Sequence, residues 1–256
     1  GRIRDRAYSM LSISDLKVLE QMKLFEEYVR EYDFNKADQA LIEIKKATGN
    51  SVLDKQFVIR AETIVNYYLK RINVTECLEG FIKAIQLTIP KYGTISLANW
   101  PLSYNEALLL VNISIAYAEN EDYVNAIEVI EEVYFATKQS YMEEQLRAIL
   151  QVTIANNLSK WYGLVGNHEK AIKIAYEGIQ ICKKSKLGNA LPNLLYGIAW
   201  NNEQLIEMGE LSPEYKKECL HNLKQAYYIA SAMQLTFVEQ FIMDHMAKVY
   251  SYTIIT

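Results

Sequence analysis

The side chains best suited to chemistry in this sequence are asparagines and lysines on predicted helices. Asn112 and Asn157 stand 45 residues apart. A carboxamide offers one acceptor and two donors, so it can pair with both the N–H and the C=O of an extended peptide. Lys70 and Lys160 could pair with a peptide carboxylate. The pattern predicts peptide binding by Asn112, Asn157, Asn156, Lys160, Asn66, Lys70, Ile115 and Trp200.

No other grouping of reactive side chains points to catalysis or to a metal. The histidines and cysteines are isolated along the chain, at His168, His221, His245, Cys77, Cys182 and Cys219. They lack the spacing of zinc or redox motifs. The sequence also contains no GxSxG, HExxH or glycine-rich phosphate loop. We therefore expect neither an enzyme nor a bound cofactor, and we expect the thiols to be buried.

The elements that must position these residues repeat along the chain. Four tyrosines end predicted helices, and a small residue follows each tyrosine after nine positions. A small side chain lets two antiparallel helices approach closely, and one such pair buries its apolar face only by stacking on neighbours. The tyrosines and their small partners are Tyr28 with Ala37, Tyr68 with Cys77, Tyr117 with Ala126, and Tyr162 with Ala171. A fifth pair, Leu205 with Cys219, fits if five residues are inserted at its turn.

This repeat predicts an all-α fold, a right-handed α-solenoid of about five degenerate helix pairs and a capping helix. The predicted repeat domain covers residues 12–256 and follows a linker or tag remnant at 1–11. Its units are 18–50, 58–90, 107–139, 152–184 and 190–231, and the capping helix is 235–251. In such stacks the first helix of each pair lines the concave face. In each pair we number the first helix so that its tyrosine, or Leu205 in the fifth pair, is position eleven. With this numbering, the predicted site residues fall at positions that face the concave side.

Helix starts carry side chains that cap free backbone N–H groups. Asn73 and Ser103 each precede a glutamate by three residues, which predicts capping boxes. Single caps are expected at Asp33, Asp122 and Asn167 and at Ser12 or Ser14, and Ser140, three residues before Glu143, is expected to open a long helix. Ser212 precedes Pro213, the usual residue at a first helical position. No segment alternates with the period of a strand.

Composition narrows the class of protein. The chain has 256 residues, 50% hydrophobic residues and a net charge of −4. A domain that grips nucleic acid is usually basic, so DNA contact is expected only through a segment outside this chain. No apolar run is long enough for a membrane span, and no signal-peptide pattern is present, so we expect a cytoplasmic protein. The start at Gly1 favours a fragment of a longer protein.

Two segments carry the clearest resemblance to a known family. They read NISIAYAENEDYVNAIEVIEEV and NNLSKWYGLVGNHEKAIKIAYEGIQICKK. The turns Glu121-Asp122-Tyr123 and Gly166-Asn167-His168, each followed by an alanine, resemble the tetratricopeptide repeat. Together with LLYGIAW and LKQAYYIASAM, the chain from about Leu16 onward resembles the C-terminal part of Rgg- and PlcR-like bacterial transcriptional regulators. The resemblance implies a quorum-sensing domain that binds a short peptide through inner-helix asparagines, next to a helix-turn-helix absent here.

Two other functions stay open. A protein–protein scaffold is one, but a clamp for a C-terminal carboxylate needs several inward bases, and the predicted inward set includes Glu62 and Glu119. A response-regulator phosphatase with a catalytic glutamine is the other, with Gln21 as the candidate, although the chain is short for its three-helix bundle. We also expect a homodimer, because the last helix carries an apolar stripe of Phe237, Phe241, Ile242, Met246 and Val249.

Overall fold

The computed structural model describes residues 16–97, 100–138 and 142–252. These residues form eleven α-helices and two short 3-10 helices, with no strand among them. The first six helices are α1 Leu16–Arg30, α2 Phe34–Ala47, α3 Val52–Tyr68, α4 Val74–Gln86, α5 Tyr104–Glu119 and α6 Tyr123–Lys138. The others are α7 Glu144–Leu164, α8 His168–Ser185, α9 Leu191–Glu207, α10 Lys216–Ala232 and α11 Thr236–Tyr250.

The chain divides into two compact units, and the boundary falls between Glu143 and Glu144. In the first unit, three helix pairs stack in order: α1 with α2, α3 with α4, and α5 with α6. In the second unit, α7 pairs with α8 and α9 with α10, and α11 packs on α10 and α9. The predicted five pairs and final helix are confirmed.

Small residues lie at the centre of these pairs. Ala37, Ala126, Ala171 and Cys219 are completely buried, and Cys77 nearly so. A larger side chain at any of these positions would push two packed helices apart. The regular position of the small residues is therefore explained by close helix packing.

Most predicted caps are confirmed. Asn73 and Ser103 form capping boxes with their glutamates, and Asp33 and Asp122 each accept a backbone hydrogen bond at 3.2 Å. Asn167 takes the N-cap position of α8 without making a side-chain hydrogen bond. Ser212 caps the 3-10 helix Pro213–Tyr215, which occupies the predicted insertion before α10. Ser12, Ser14 and Ser140 lie outside the described residues.

The register predicted for the second pair was wrong. In four of the five pairs, a backbone N–H just after the first helix donates to the carbonyl of the residue five positions earlier. These carbonyls belong to Tyr28, Tyr117, Tyr162 and Leu205. In the second pair the same bond runs from Arg71 N to Asn66 O, at 2.8 Å. Asn66 therefore holds the place that the spacing assigned to Tyr68. The cause is a turn two residues longer, in which Lys70 adopts a left-handed conformation (φ 58°) and ends the helix.

Candidate functional site

In the second unit, α7 carries three of the predicted site residues on one side. Asn156 and Lys160 are one turn apart, and Asn157 lies between them in sequence. Asn157 Nδ2 donates to the Thr153 carbonyl at 3.1 Å, so its Oδ1 and one N–H stay available. Asn156 is half-buried and makes no side-chain hydrogen bond to a described residue, while Lys160 is exposed. This side of α7 thus offers two carboxamides and an ammonium group to a ligand.

Trp200 of α9 lies against the same side of α7. A Cβ atom added at Gly163 would come within 2.7 Å of Trp200 Cζ3, so the indole packs directly on the α7 backbone. Gly163 follows Lys160 by three residues and therefore shares its side of the helix. Trp200 is half-buried, and its ring lies edge-on to His168 with the centroids 5.9 Å apart. Trp200 thus lies one turn beyond Lys160, on the side of α7 that also carries Asn156 and Asn157.

A buried hydrogen-bonded pair, Asn201 with His168, lies next to Trp200. Asn201 is 1% exposed, and its Nδ2 donates to the Gly197 carbonyl at 2.7 Å. Its Oδ1 therefore faces His168 Nδ1, 2.8 Å away, and that ring nitrogen must carry the proton. The His168 side chain is itself buried, at 7% exposure. Asn201 was not predicted from the sequence, because nothing in the sequence distinguishes it from the neighbouring Asn202.

Glu203, one turn further along α9, is unavailable to a ligand although its repeat position is an inward one. The carboxylate is 6% exposed, and it accepts from Tyr250 Oη at 2.6 Å and contacts His245 Nε2 at 2.9 Å. The other side of the imidazole, Nδ1, lies 3.3 Å from Tyr196 Oη. Burial, together with the Glu203 charge, raises the pKa of Tyr196 to about 12 and also raises the pKa of Tyr250. This cluster joins α9 to α11.

In the first unit, Asn112 and Ile115 lie one turn apart on α5, and both are half-buried. Asn112 Oδ1 accepts from Arg60 Nη1 of α3 at 3.4 Å. Arg60 is 3% exposed, forms an ion pair with Glu26 of α1 and lies over the Phe57 ring. The first helices α1, α3 and α5 are thus joined by one polar chain.

Sequence reasoning missed Arg60 because of the register error. With Asn66 as the eleventh residue of its unit, Arg60 and Tyr67 become inward positions on α3. Both side chains reach α5, Arg60 at Asn112 and Tyr67 at Glu119, which supports the corrected register. An arginine inside the apolar run FVIRA was the signal in the sequence.

Asn66 and Lys70 do not join Asn112 and Ile115. Asn66 lies in the last turn of α3 and accepts from Arg71 Nη1 at 3.3 Å, and Arg71 also forms an ion pair with Asp38 at 2.6 Å. Lys70 is exposed in the turn that follows, at the edge of a cleft of about 520 Å³. The inward positions predicted for Asn66 and Lys70 were therefore wrong. Tyr67, Tyr68 and Glu119 also line this cleft.

The described residues contain no group of three or more His, Cys, Asp or Glu side chains arranged to hold a metal ion. None of the helices that the structure describes is both long enough and apolar enough to span a membrane. All three cysteines are buried.

No protein-family model and no curated protein matches the sequence. Among solved structures, PlcR from Bacillus thuringiensis in complex with the peptide PapR7 and DNA aligns with a TM-score of 0.73 at 14% identity. That alignment covers 92% of this chain and 77% of PlcR, and the apo form of PlcR gives a TM-score of 0.71 over 89% and 77%. A putative kinesin light chain from Podosopora anserina with TPR-like repeats gives 0.54 at 14% identity, over 85% of this chain and 96% of that one.

These likenesses confirm the predicted fold class. The chain is a tetratricopeptide-like helical-repeat protein, similar in fold to PlcR. At 14% identity the likeness carries the fold and no individual site residue.

Proposed function

We propose that this chain is the peptide-sensing domain of a cytoplasmic transcriptional regulator. The observation that carries the proposal is the α7–α9 face of the second unit, defined by Asn156, Asn157, Lys160 and Trp200. The Asn156 amide makes no hydrogen bond to a described residue, and Trp200 supplies an apolar surface at Gly163, two turns further along the same side of α7. Polar groups of this kind beside an aromatic surface suit the backbone and side chains of an extended peptide. The likeness to PlcR, which was solved with a peptide and DNA, supports the same class.

In the first unit, we propose that Asn112 and Ile115 form a peptide contact of their own. Their half-buried side chains lie on the same side of α5, an amide next to an aliphatic group. Asn66 and Lys70 become weaker candidates, because Asn66 Oδ1 is bonded to Arg71 and Lys70 borders the cleft at the α3–α4 turn instead.

The DNA-binding part belongs, in this proposal, to a helix-turn-helix outside the chain. Peptide binding shifts the regulator between two conformations only if the peptide binds one of them more tightly. A difference of about 1–3 kcal/mol in binding free energy is enough for useful coupling. The net charge of −4 agrees with a sensing role rather than with direct contact to phosphates. The chemistry proposed here is binding, and no reaction is assigned.

We also propose a homodimer that forms through α11. The apolar stripe of this helix is divided: Ile242 and Met246 are completely buried inside the second unit, while Phe237 is 82% exposed. Phe241 and Val249 are about half exposed on the outer side. Exposed aromatic residues one turn apart are typical of an interface rather than of a free surface.

Selection from a library of random heptapeptides by the immobilised protein tests the peptide proposal. Calorimetry then compares a selected peptide on the wild type and on Asn156→Ala and Lys160→Met. We expect each substitution to weaken binding about tenfold, the effect of losing one hydrogen bond or ion pair of roughly 1.4 kcal/mol. Asn189→Ala, at an exposed residue of the 3-10 helix Gly188–Ala190, is the control and should bind normally. Failure to select any peptide, or equal binding by all variants, contradicts the proposal.

Light scattering tests the dimer. The wild type should have twice the mass of one chain at micromolar concentration, and Phe237→Glu should reduce it to one chain. Tyr228→Glu replaces another exposed aromatic residue, on α10, and should leave the dimer intact. A wild type that is monomeric, or a Phe237→Glu protein that stays dimeric, contradicts the α11 interface.

A further inference from the structure

Arg60 decides which atom of the Asn112 side chain is left for a ligand. A guanidinium group has only N–H donors and no acceptor. The carboxamide atom that faces Arg60 Nη1, at 3.4 Å, is therefore the oxygen. The Asn112 Nδ2 group lies on the other branch of the amide and makes no hydrogen bond to a described residue.

The guanidinium itself is held in place. It is 3% exposed, it is ion-paired with Glu26, and it lies over the Phe57 ring with 5.5 Å between its central carbon and the ring centroid. If the Asn112 amide rotated by half a turn, its NH₂ group would point at a buried cation. Two donors would then face each other in a region of low dielectric constant, where such a contact is strongly unfavourable. The orientation of the amide is thus fixed by a neighbour that cannot move away easily.

We propose that Arg60 is a positioning residue that makes Asn112 a dedicated hydrogen-bond donor, so that the ligand group opposite Asn112 is an acceptor oxygen. This inference rests on the proposed function only for the presence of a peptide, since the amide orientation follows from Arg60 alone. The acceptor is a peptide carbonyl or a carboxylate. An Asn112 amide that could rotate freely would present its oxygen or its NH₂ group equally well. It would then pair with a ligand N–H as readily as with a ligand oxygen.

Asn157 shows the opposite arrangement and so provides a contrast. Its Nδ2 donates to the Thr153 carbonyl within the same helix, which turns Oδ1 outward. Asn157 therefore presents an acceptor and one remaining N–H. Two asparagines at the same repeat position, 45 residues apart, thus carry different hydrogen-bonding chemistry.

The first test needs no ligand. In protein with labelled asparagine, the Asn112 side-chain signals are assigned by their loss in Asn112→Ala. In Arg60→Met, the ¹³Cγ signal of Asn112 should move upfield, as a carbonyl does when it loses a donor, and the Nδ2 protons should change little. Asn66, which accepts from Arg71 in the same manner, is the internal control and should not move. A large shift of the Nδ2 protons with an unchanged ¹³Cγ overturns the proposal. Arg60→Lys replaces Arg60→Met if the latter does not fold, with a smaller shift of ¹³Cγ in the same direction.

The second test uses the random heptapeptide library as the probe. Asn112→Asp keeps the oxygen that faces Arg60 and replaces only the donor group. It should lower the binding of library peptides at least about tenfold, the value of one hydrogen bond to a charged or carbonyl acceptor, without loss of thermal stability. Asn189→Asp, at an exposed residue of the 3-10 helix Gly188–Ala190, should bind as the wild type does. Equal binding by Asn112→Asp and the wild type overturns the proposal.

The two outcomes separate the inference from the proposed function. If no library peptide binds the wild type, the proposed function fails, while the signals of Asn112 still decide its orientation. A library with amidated C-termini, compared with the free acids, distinguishes the two acceptors. If amidation weakens binding to the wild type but not to Asn112→Asp, the peptide carboxylate is the partner of Asn112. Any other result assigns a carbonyl of the peptide chain to Asn112.

Discussion

The Tyr250 hydroxyl donates to Glu203 Oε1 at 2.6 Å, and this hydrogen bond ties the last helix of the chain to α9. His245, also on α11, contacts the second carboxylate oxygen at 2.9 Å. The buried carboxylate is thus satisfied almost entirely by α11. Because Trp200 lies one turn before Glu203 on α9, the proposed peptide face and α11 are attached to the same rigid helix.

Replacing Glu203 with glutamine should loosen α11. The amide keeps one acceptor, but it removes the charge and places an NH₂ group against Tyr250 or His245. We expect a loss of about 1–3 kcal/mol in the free energy of unfolding, the usual effect of leaving a buried polar group without its partner. Hydrogen exchange should become faster in α11 and stay unchanged in α7. Glu207→Gln, at an exposed residue on α9, is the control, and unchanged exchange in α11 of Glu203→Gln would show that the cluster does not hold the helix.

The ion pair between Arg60 and Glu26 should be far more sensitive to single than to double substitution. Glu26→Gln leaves a buried guanidinium without its countercharge, which costs about 3–5 kcal/mol in buried pairs. The double variant Glu26→Leu with Arg60→Met removes both charges and should recover most of that loss. Urea denaturation of Glu26→Leu, Arg60→Met and the double variant measures the coupling. Additive losses would contradict a direct interaction between the two side chains.

Gly163 should tolerate no side chain. The Cβ atom of an alanine there would meet Asn201 Oδ1 at 2.5 Å and Trp200 Cζ3 at 2.7 Å. Overpacking of this kind typically costs about 1–3 kcal/mol. Gly163→Ala should therefore lower the melting temperature and shift the Trp200 fluorescence, which is measured against Trp200→Phe. Gly197→Ala is the matched control on α9, since its Cβ meets only Ser159 Oγ at 3.1 Å. A Gly163→Ala protein with wild-type stability and fluorescence would contradict the packing.

The spacing of tyrosines and small residues predicted the helix pairs well, because both residue types respond to close packing between two helices. Ala37, Ala126 and Ala171 are buried for that reason alone. The second pair failed because Tyr67 and Tyr68 are adjacent and the turn is two residues longer. A spacing rule has no means of detecting an insertion when a second tyrosine restores the expected interval.

The candidate site was predictable only in part, because hydrogen-bond partners come from other helices. The sequence placed Asn156, Asn157 and Lys160 on one side of α7, since their order along one helix fixes that. It did not reveal that Arg60 orients Asn112 from α3, or that Glu203 is occupied by α11. Which atoms of an amide remain free depends on these contacts and not on the amide's own position.

The three cysteines should be nearly inert in the native protein. Burial, with a contribution from Glu119, raises the pKa of the Cys77 thiol to about 12. Burial likewise raises the pKa of Cys182 and of Cys219 to about 11, and in Cys219 the Glu203 charge adds to the effect. Since the thiolate is the reactive form, the native protein at pH 8 should react with an aromatic disulfide reagent at least about 100-fold more slowly than an exposed cysteine.

Val124→Cys, at a residue on α6 that is 74% exposed, supplies that fast-reacting cysteine within the same protein. Urea should make all thiols react quickly. The raised pKa values of the folded thiols also determine how stability changes at alkaline pH. The unfolded thiols ionise around their ordinary pKa of 9.0, whereas the folded ones stay protonated up to about 11. The free energy of unfolding should therefore fall as the pH rises from about 9 to 11. Rapid modification of any native cysteine at pH 8, before Val124→Cys has reacted, would contradict the burial of that thiol.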